Sequence, residues 1–525
     1  MRALLAVYDK GGIADFAAGL AGLGWELVAT GNTRRVIAGA GVPVREVSEM
    51  TGSPEMLGGR VKTLHPLVHG GLLYRRGHEE DEAEVERYQI PAIDLVASNL
   101  YPFVETVTAG QAVSLAEALE QIDIGGPTMI RAAAKNHPHV IPIVDPRDYG
   151  EVLAALRASG GDPAGVGASL RSRLAASAFA HTAHYDASIA EYLRPERGPF
   201  PERLTVPFTL VEELRYGENP HQRGAFYRLD SVRVPPEGTG ALEQLHGKAL
   251  SYVNVLDADE AFQLVCDSPE PALAIIKHTN PCCFATGEGS LADLYERALS
   301  DGDAVSAYGG IVAVNRPLDM ELASALREFP SPETGGRMFY EIVVVPGYEP
   351  EALDHLRRKS RDLRILLAPA GDPHRPRTDL RAVRGGALLQ ESDVTVETEF
   401  TVVSERRPTE SELRDLRVGW MVCKHVKSNA VVFVRDGVLV GMGAGQPNRV
   451  GSARLAGESA GERARGAAAA TDALIPFPDT VEVCAGFGVS AVLHTGGSIR
   501  DQESVEAADR LGVSLLTTGV RHFRH

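Results

Sequence analysis

The sequence predicts an α/β chain of more than one domain, opening with a doubly wound, mostly parallel sheet. Three observations predict it. Residues 1–145 alternate short apolar runs with amphipathic stretches. A Pro- and charge-rich segment, RPERGPFPERLTVP at 194–207, then breaks the pattern. Beyond it the alternation resumes with more turns and runs to the end.

The elements follow in order. ALLAVY is a strand, GIADFAAGLAGLG a helix ended by Gly24, and WELVAT a second strand followed by GNT. TRRVIAGAG is helical, VPVREV a third strand, and IDLVASNLYPF a strand running into a loop. SLAEALEQID is a helix and HVIPIVD a late strand. Helical pattern dominates 148–194 and stops at the Pro-rich segment. Domain one is therefore expected over 1–197 and the remainder over 198–525. In the second part PALAIIKH, GGIVAVN, EIVVVPG, LRILLAP, AVVFVRDG, VLVGMGAG and VSAVLHT read as strands. AIIKHTNPCCF and MVCKHVKSNAVVF both carry Lys-His near an apolar run, which suggests an internal duplication and two related lobes.

Bulk properties narrow the function classes. With 525 residues, 44% hydrophobic and 23% charged, the chain has an ordinary globular core. Its net charge of −17 argues against general nucleic-acid or anionic-membrane binding. The 5 cysteines are odd in number and irregular in spacing, so no disulfide framework or zinc module is written, and a reducing cytoplasmic setting is expected. The first apolar run is too short for a secretory signal, and nothing approaches the roughly 18 apolar residues of a membrane span.

AIIKHTNP, residues 274–281, delivers Lys277 and His278 at the end of a buried strand. Pro281 disfavours helix at Asn280, so the chain is expected to turn there, at the carboxyl end where open α/β sheets place ligands. Histidine suits proton transfer near neutral pH, and lysine stabilises developing negative charge. The plainer alternative is a solvated lysine beside a partly buried histidine. RYGENPHQ offers Arg215 and Tyr216 before a turn, and SAYGGIVAVN puts Gly309 and Gly310 where backbone can approach a ligand. GMGAGQPNRV is Gly-rich and ends near Arg449, and HTGGSIRDQE places Gly-Gly-Ser at an expected helix N-terminus, an anion site.

GGRVKTLHP, NLYPF, DIGGP, RAAAKNH, RYGENPHQ, KHTNPC, KHVKSNAVV, GGSIRD and the terminal RHFRH occur in one order along essentially the whole chain. Together they resemble the bifunctional purine-biosynthesis family of AICAR transformylase/IMP cyclohydrolase. The resemblance implies a methylglyoxal-synthase-like first domain and a transformylase domain of two cytidine-deaminase-like lobes. It implies formyl transfer from 10-formyltetrahydrofolate to AICAR, giving FAICAR, and dehydrative closure of FAICAR to IMP. It also implies a homodimer with transformylase sites at the subunit interface, and no metal required for catalysis.

By the same resemblance His278 is the base, Lys277 its cationic helper and Asn429 the residue that orients substrate. Arg215, Tyr216, Glu341 and Arg521 match AICAR-binding positions, and Asp479, with Gly309 and Gly310, is placed near the folate. For cyclisation Lys62, Tyr101, Asp123 and Lys135 match active-site positions. Lys10, Thr30, Gly31, Thr33, Arg60 and Thr63 would cradle the phosphate. The attack is intramolecular, so positioning and oxyanion stabilisation carry most of it. The chain departs from the family at Tyr8, where a serine is usual, at Cys283, which adds bulk beside the transformylase site, and at Pro447.

Three other functions would account for parts of this pattern. A monofunctional relative would keep one of the two activities. A zinc nucleobase deaminase needs His-x-Glu and Pro-Cys-x-x-Cys, but Pro281-Cys282-Cys283 lacks a cysteine at 285. A nucleotide-sensing protein would bind without turnover and would not need the Lys-His and Lys-Tyr-Asp-Lys sets.

Overall fold

The computed structural model describes residues 1–108, 113–194, 200–234, 237–331 and 335–525. Residues 195–199 of the expected Pro-rich boundary lie outside the described residues. The chain forms two compact units, Met1–Phe208 with Leu229–Pro235, and Thr209–Arg228 with Pro236–His525.

In the first unit, β1 (Arg2–Ala6), β2 (Glu26–Ala29), β3 (Arg45–Glu46), β4 (Leu95–Ser98) and β5 (Ile141–Ile143) form a sheet in the order β3-β2-β1-β4-β5. Every pairing is parallel. Apart from the short edge strand β3, the strands are largely apolar because helices cover both faces. α1 (Ile13–Gly22), α2 (Gly31–Gly39), α3 (Gly125–Lys135), α4 (Tyr149–Ala158) and α5 (Ala168–Leu193) are the helices used below. The chain order reverses between β1 and β4. That switch point leaves a crevice beyond the carboxyl ends of β1, β2 and β4, where such sheets place ligands.

In the second unit, twelve strands join in one sheet among the described residues. The first half contains β6 (Glu243–His246), α6 (Tyr252–Cys266), β7 (Ala272–Lys277), β8 (Asn280–Thr286), β9 (Gly310–Val314), β10 (Tyr340–Val345) and β11 (Arg364–Leu367). The second half contains β12 (Thr401–Val402), α7 (Glu410–Lys424), β13 (Val431–Arg435), β14 (Val438–Gly443), α8 (Arg449–Ala460), β15 (Ala468–Thr471), α9 (Asp479–Gly486), β16 (Ala491–His494), α10 (Asp501–Leu511) and β17 (Ser514–Thr517).

From its centre outward the sheet reads β8-β7-β9-β10-β11-β6 one way and β14-β13-β15-β16-β17-β12 the other. The two halves also share strand sense. The hairpins β7–β8 and β13–β14 are each followed outward by an antiparallel, two parallel and an antiparallel pairing. The duplication is therefore real, but the Lys-His match does not mark it. Lys277-His278 ends a strand, whereas Lys424-His425 ends helix α7, whose counterpart α6 ends at Cys266-Asp267. The true equivalents of 277–278 are Arg435-Asp436, at the other hairpin.

Several local expectations change. The turn after β7 falls at His278-Thr279, and Asn280 already pairs with Lys277 in the ladder. Cys283 is fully buried with its thiol toward the Asp303 carbonyl, so its bulk enters the core and not the candidate site. Gly310 serves strand packing: a Cβ there would lie 2.7 Å from the Ile275 side chain. The Gly-Gly-Ser anion site is not free either. The helix starts later, at Asp501, and the Asp501 carboxylate accepts the Gly497 N–H at 2.6 Å. Arg449 is buried and pairs with Asp472 at 2.6 Å, a structural role.

Candidate active sites

The crevice of the first unit is a cleft of about 1520 Å³. Lys62, Tyr101 and Asp123 line it, as do Lys10, Thr30, Gly31, Thr33, Arg60 and Thr63. Sheet topology brings them together, since β1, β2 and β4 all end there. α3 adds its amino end: Gly126 N–H donates to Asp123 Oδ1 at 3.0 Å, and a Cβ on Gly125 would sit 2.5 Å from Thr63 Oγ1. A Cβ on Gly31 would lie 3.3 Å from Lys62 Nζ, so the ammonium stands over the loop that opens α2.

Burial raises the Asp123 carboxyl above its ordinary value, against the α3 N–H groups and Lys62. Burial, then Asp123 and Tyr8, raises the Tyr101 phenol. Burial lowers Lys10, whose ammonium donates to the Val7 and Tyr8 carbonyls. Arg60 pairs with Glu120, and Lys62 lies 3.6 Å from Glu55. Both carboxylates went unnoticed in the sequence, because neither Glu55, in a loop, nor Glu120, at the end of a helix, stands at a spacing that marks a site.

Lys135 does not join this cleft. It is the last residue of the 11-residue helix that begins just after Asp123, so the helix sets it about 15 Å beyond that first turn at 1.5 Å per residue. It lines a separate groove of about 660 Å³ with His69, Arg131 and Phe179.

Tyr8 stands on the rim of the cleft, its ring edge-on to Tyr101 at 5.6 Å. Asn99 Oδ1 accepts the N–H groups of Tyr8 and Asp9 at 2.6 and 2.9 Å, tying that loop to the segment that carries Tyr101.

In the second unit, helix α6 is the common support. At its start the Leu250 carbonyl accepts the Arg215 N–H at 3.0 Å, and Tyr252 N–H donates to the Tyr216 carbonyl at 3.2 Å. The Arg215 guanidinium lies 5.1 Å over the Tyr216 ring. Arg364, 1% exposed, donates to the Ala249 carbonyl and to Glu341 at 2.8 Å, which fixes that carboxylate beside the same segment. Further along, Asp257 Oδ1 accepts the Thr279 N–H at 2.7 Å. Glu260 pairs with Arg524 at 2.5 Å.

His278 is exposed at the turn, and Lys277 Nζ donates to the Tyr308 carbonyl at 2.9 Å, beside Gly309. Asn280 Oδ1 accepts the Lys427 N–H at 3.4 Å, two residues before Asn429. Asn429 donates twice to the Gln446 carbonyl. The C-terminal segment docks here: Ser428 N–H donates to the Arg524 carbonyl, and Arg524 N–H donates to Ser428 Oγ. Arg521 is exposed in that segment, over the Phe523 ring. Asp479 stands apart, in the first turn of α9, where it accepts from the Thr480 hydroxyl.

The second Lys-His pair is buried. Lys424 Nζ and His425 Nε2 both reach Asp267 Oδ2, at 2.9 and 2.8 Å. Burial opposes the Asp267 charge, but these two partners hold its pKa down at about 2. Burial lowers His425. A neutral ring satisfies both neighbours: Nε2–H donates to Asp267, and Nδ1 accepts from Arg524 at 3.3 Å.

Residues 12–128 match the model of the MGS-like domain, and residues 133–459 match that of the AICARFT/IMPCHase bienzyme. Relatives named bifunctional purine biosynthesis protein PurH, from Halalkalibacterium halodurans, Anoxybacillus flavithermus and Bacillus subtilis, are each 46% identical to it, over 100% of this chain and 99% of theirs. The fold class is accordingly an MGS-like domain followed by a transformylase domain, and the transferase reaction draws on a folate-type co-substrate. The chain belongs to the AICARFT/IMPCHase bienzyme family and carries its two activities in purine biosynthesis, AICAR formyltransferase and IMP cyclohydrolase.

Proposed function

We propose that the first unit's cleft closes the FAICAR ring and that the turn at 277–278 carries formyl transfer. The observation behind the first assignment is the convergence of Lys62, Tyr101, Asp123 and the phosphate-cradle residues in one crevice at a topological switch point. The carboxamide nitrogen of FAICAR attacks the formyl carbon, the new C–N bond forms, and the formyl oxygen leaves as water. Asp123 takes the carboxamide proton. Lys62 neutralises the transient oxyanion, and Tyr101 donates to it. Lys10, Arg60, Thr30, Gly31, Thr33 and Thr63 hold the phosphate. Lys135 is outside this assignment.

For transfer, His278 takes the proton of the AICAR amine as its nitrogen attacks the formyl carbon. The bond to the folate nitrogen breaks, and that nitrogen leaves protonated. Lys277 stabilises the tetrahedral oxyanion, and Asn429 orients the substrate. Arg215, Tyr216, Glu341 and Arg521 bind AICAR, and Asp479 and Gly309 contact the donor, 10-formyltetrahydrofolate; Gly310, taken up in strand packing, is outside this assignment. A homodimer is proposed from the resemblance and from two exposed hairpins, Phe208–Leu214 with Gly224–Leu229 and Thr378–Val383 with Gly386–Glu391. The second presents Leu388 at 60% exposure. A cytoplasmic location is proposed from the five free cysteines. We place the boundary between the two catalytic domains near 197–208.

The test is to incubate purified protein with AICAR and 10-formyltetrahydrofolate and follow IMP, with His278→Ala and Lys62→Ala alongside. His278→Ala is expected to lower formylation by about 10²–10⁴ and to leave cyclisation of supplied FAICAR intact. Lys62→Ala is expected to do the reverse. A folded His278→Ala protein that formylates normally would remove the proposed base.

A further inference from the structure

The two central hairpins of the second unit turn in the same unusual way. His278 and Thr279 have φ of 53° and 59°, and Asp436 and Gly437 have φ of 53° and 76°. Positive φ at both central residues of a two-residue hairpin defines the turn that Asn-Gly and Asp-Gly favour. Asp436-Gly437 is such a pair and needs no outside help. His278-Thr279 is not. A β-branched residue with positive φ is a conformational outlier, held only where its surroundings over-determine it.

The fold supplies the same anchor to both turns. Six residues after the N-cap of α6 (Ser251) stands Asp257, and six after that of α7 (Thr409) stands Asp415. Asp257 Oδ1 accepts the Thr279 N–H at 2.7 Å. Asp415 accepts the Asp436 and Gly437 N–H groups at 3.0 and 2.8 Å. The carboxylates are 6% and 5% exposed. One anchor sits under a turn that is already favourable. Its twin sits under the strained turn that presents His278.

We infer that Asp257 is a positioning residue for formyl transfer, whose carboxylate holds the His278-Thr279 turn in the left-handed conformation that aims the imidazole at the AICAR amine. Asp415 is its structural counterpart without that duty. The inference rests on the assignment of His278 as base. An exposed turn released from its anchor relaxes toward negative φ, and a displacement of about 1 Å at a reacting group costs on the order of 10²-fold in rate.

The experiment compares full-length Asp257→Ala, Asp415→Ala, His278→Ala and the double variant Asp257→Ala/Thr279→Gly. Each is assayed for formylation, for cyclisation of supplied FAICAR, and for thermal melting. Asp257→Ala is expected to lower kcat of formylation on the order of 10–10²-fold, with KM for AICAR and cyclisation unchanged. Asp415→Ala is expected to lose comparable melting temperature and to keep kcat within about 2-fold, because a 2-fold change is only about 0.4 kcal/mol. Thr279→Gly, which adopts positive φ without strain, is expected to recover part of the lost kcat. If Asp257→Ala does not fold, Asp257→Leu, which fills the space but has no acceptor for the Thr279 N–H, is read by the same criteria.

Equal kcat losses in Asp257→Ala and Asp415→Ala, or no recovery from glycine, would overturn the inference while leaving the base in place. Normal formylation by His278→Ala would instead overturn the base assignment beneath it.

Discussion

At the residue scale, the second unit holds two Lys-His pairs, one at an exposed turn and one buried. The motifs named Lys62, Asp123 and Tyr101, and the cleft contains them. By resemblance the base falls to His278 and not to the Lys424-His425 pair, but the motifs do not show what sets the two pairs apart. Lys277-His278 is accessible at a turn, while Lys424 and His425 are 7% and 3% exposed and locked onto Asp267. A dipeptide says nothing of its partner when the partner, Asp267, is over 150 residues away. Removing one member of a buried charged cluster typically costs about 3–5 kcal/mol. Lys424→Ala should therefore lower the melting temperature far more than His278→Ala, and His278→Ala should lose far more formylation. Parallel melts and rates decide it, and a catalytic loss confined to folded Lys424→Ala would reverse the two roles.

His494 makes a pH prediction at the same scale. Burial lowers its pKa from 6.5 to about 4, and its Nδ1 accepts the Gly496 N–H at 3.2 Å, so the native ring is neutral. In the unfolded chain the ring protonates near 6.5. Between that value and 4 the unfolded state binds more protons, so stability rises with pH and is lost as pH falls through this window. The full loss is roughly 3 kcal/mol. Melting temperature should drop between pH 6.5 and 4, and His494→Leu should flatten that part of the curve whatever its absolute stability. An equally steep acid limb in the variant would place the titration elsewhere.

At the element scale, strands and helices with clear period were legible, and those with misleading composition were not. α3 begins Gly-Gly-Pro, which reads as a turn, yet Pro suits the first helical turn and the glycines admit close neighbours. β8 starts Asn-Pro and β15 is Ala-Ala-Ala-Thr, poor strand sequences that central burial overrides. The glycines of α3 matter for chemistry. A Cβ on Gly126 would lie 2.4 Å from Asp123 Oδ2 and 2.8 Å from Leu100 Cδ2. Gly126→Ala should thus push the Asp123 carboxylate out of place and lower cyclisation on the order of 10²-fold, with formylation unchanged. The two half-reactions measured on one preparation check this, and unaffected cyclisation would show that Asp123 is not held to a catalytic position by α3.

At the scale of the whole molecule, the composition shift marks a boundary near 197, but compactness does not follow one cut. The segment Leu229–Pro235 returns to the first unit. There the Ser231 hydroxyl donates to Glu191 Oε1 at 2.7 Å, Val232 N–H donates to Oε2 at 3.0 Å, and Arg233 Nε donates to the Glu191 carbonyl at 3.0 Å. Val232 also packs on the cluster around Tyr185. Seven residues with no period of their own give no sequence signal, so this return could not be read in advance. A fragment of residues 1–197 contains the whole cleft but strips these bonds from Glu191, whereas 1–234 keeps them. At about 1 kcal/mol each the bonds amount to roughly 2–3 kcal/mol, or about 4–12 °C in a domain of this size. Both fragments should cyclise supplied FAICAR below their melting points, and 1–234 should melt higher by that margin. Equal melting of the two would show that the returning segment does not stabilise the unit. A folded 1–234 without cyclohydrolase activity would show that the first unit's cleft is not sufficient for ring closure.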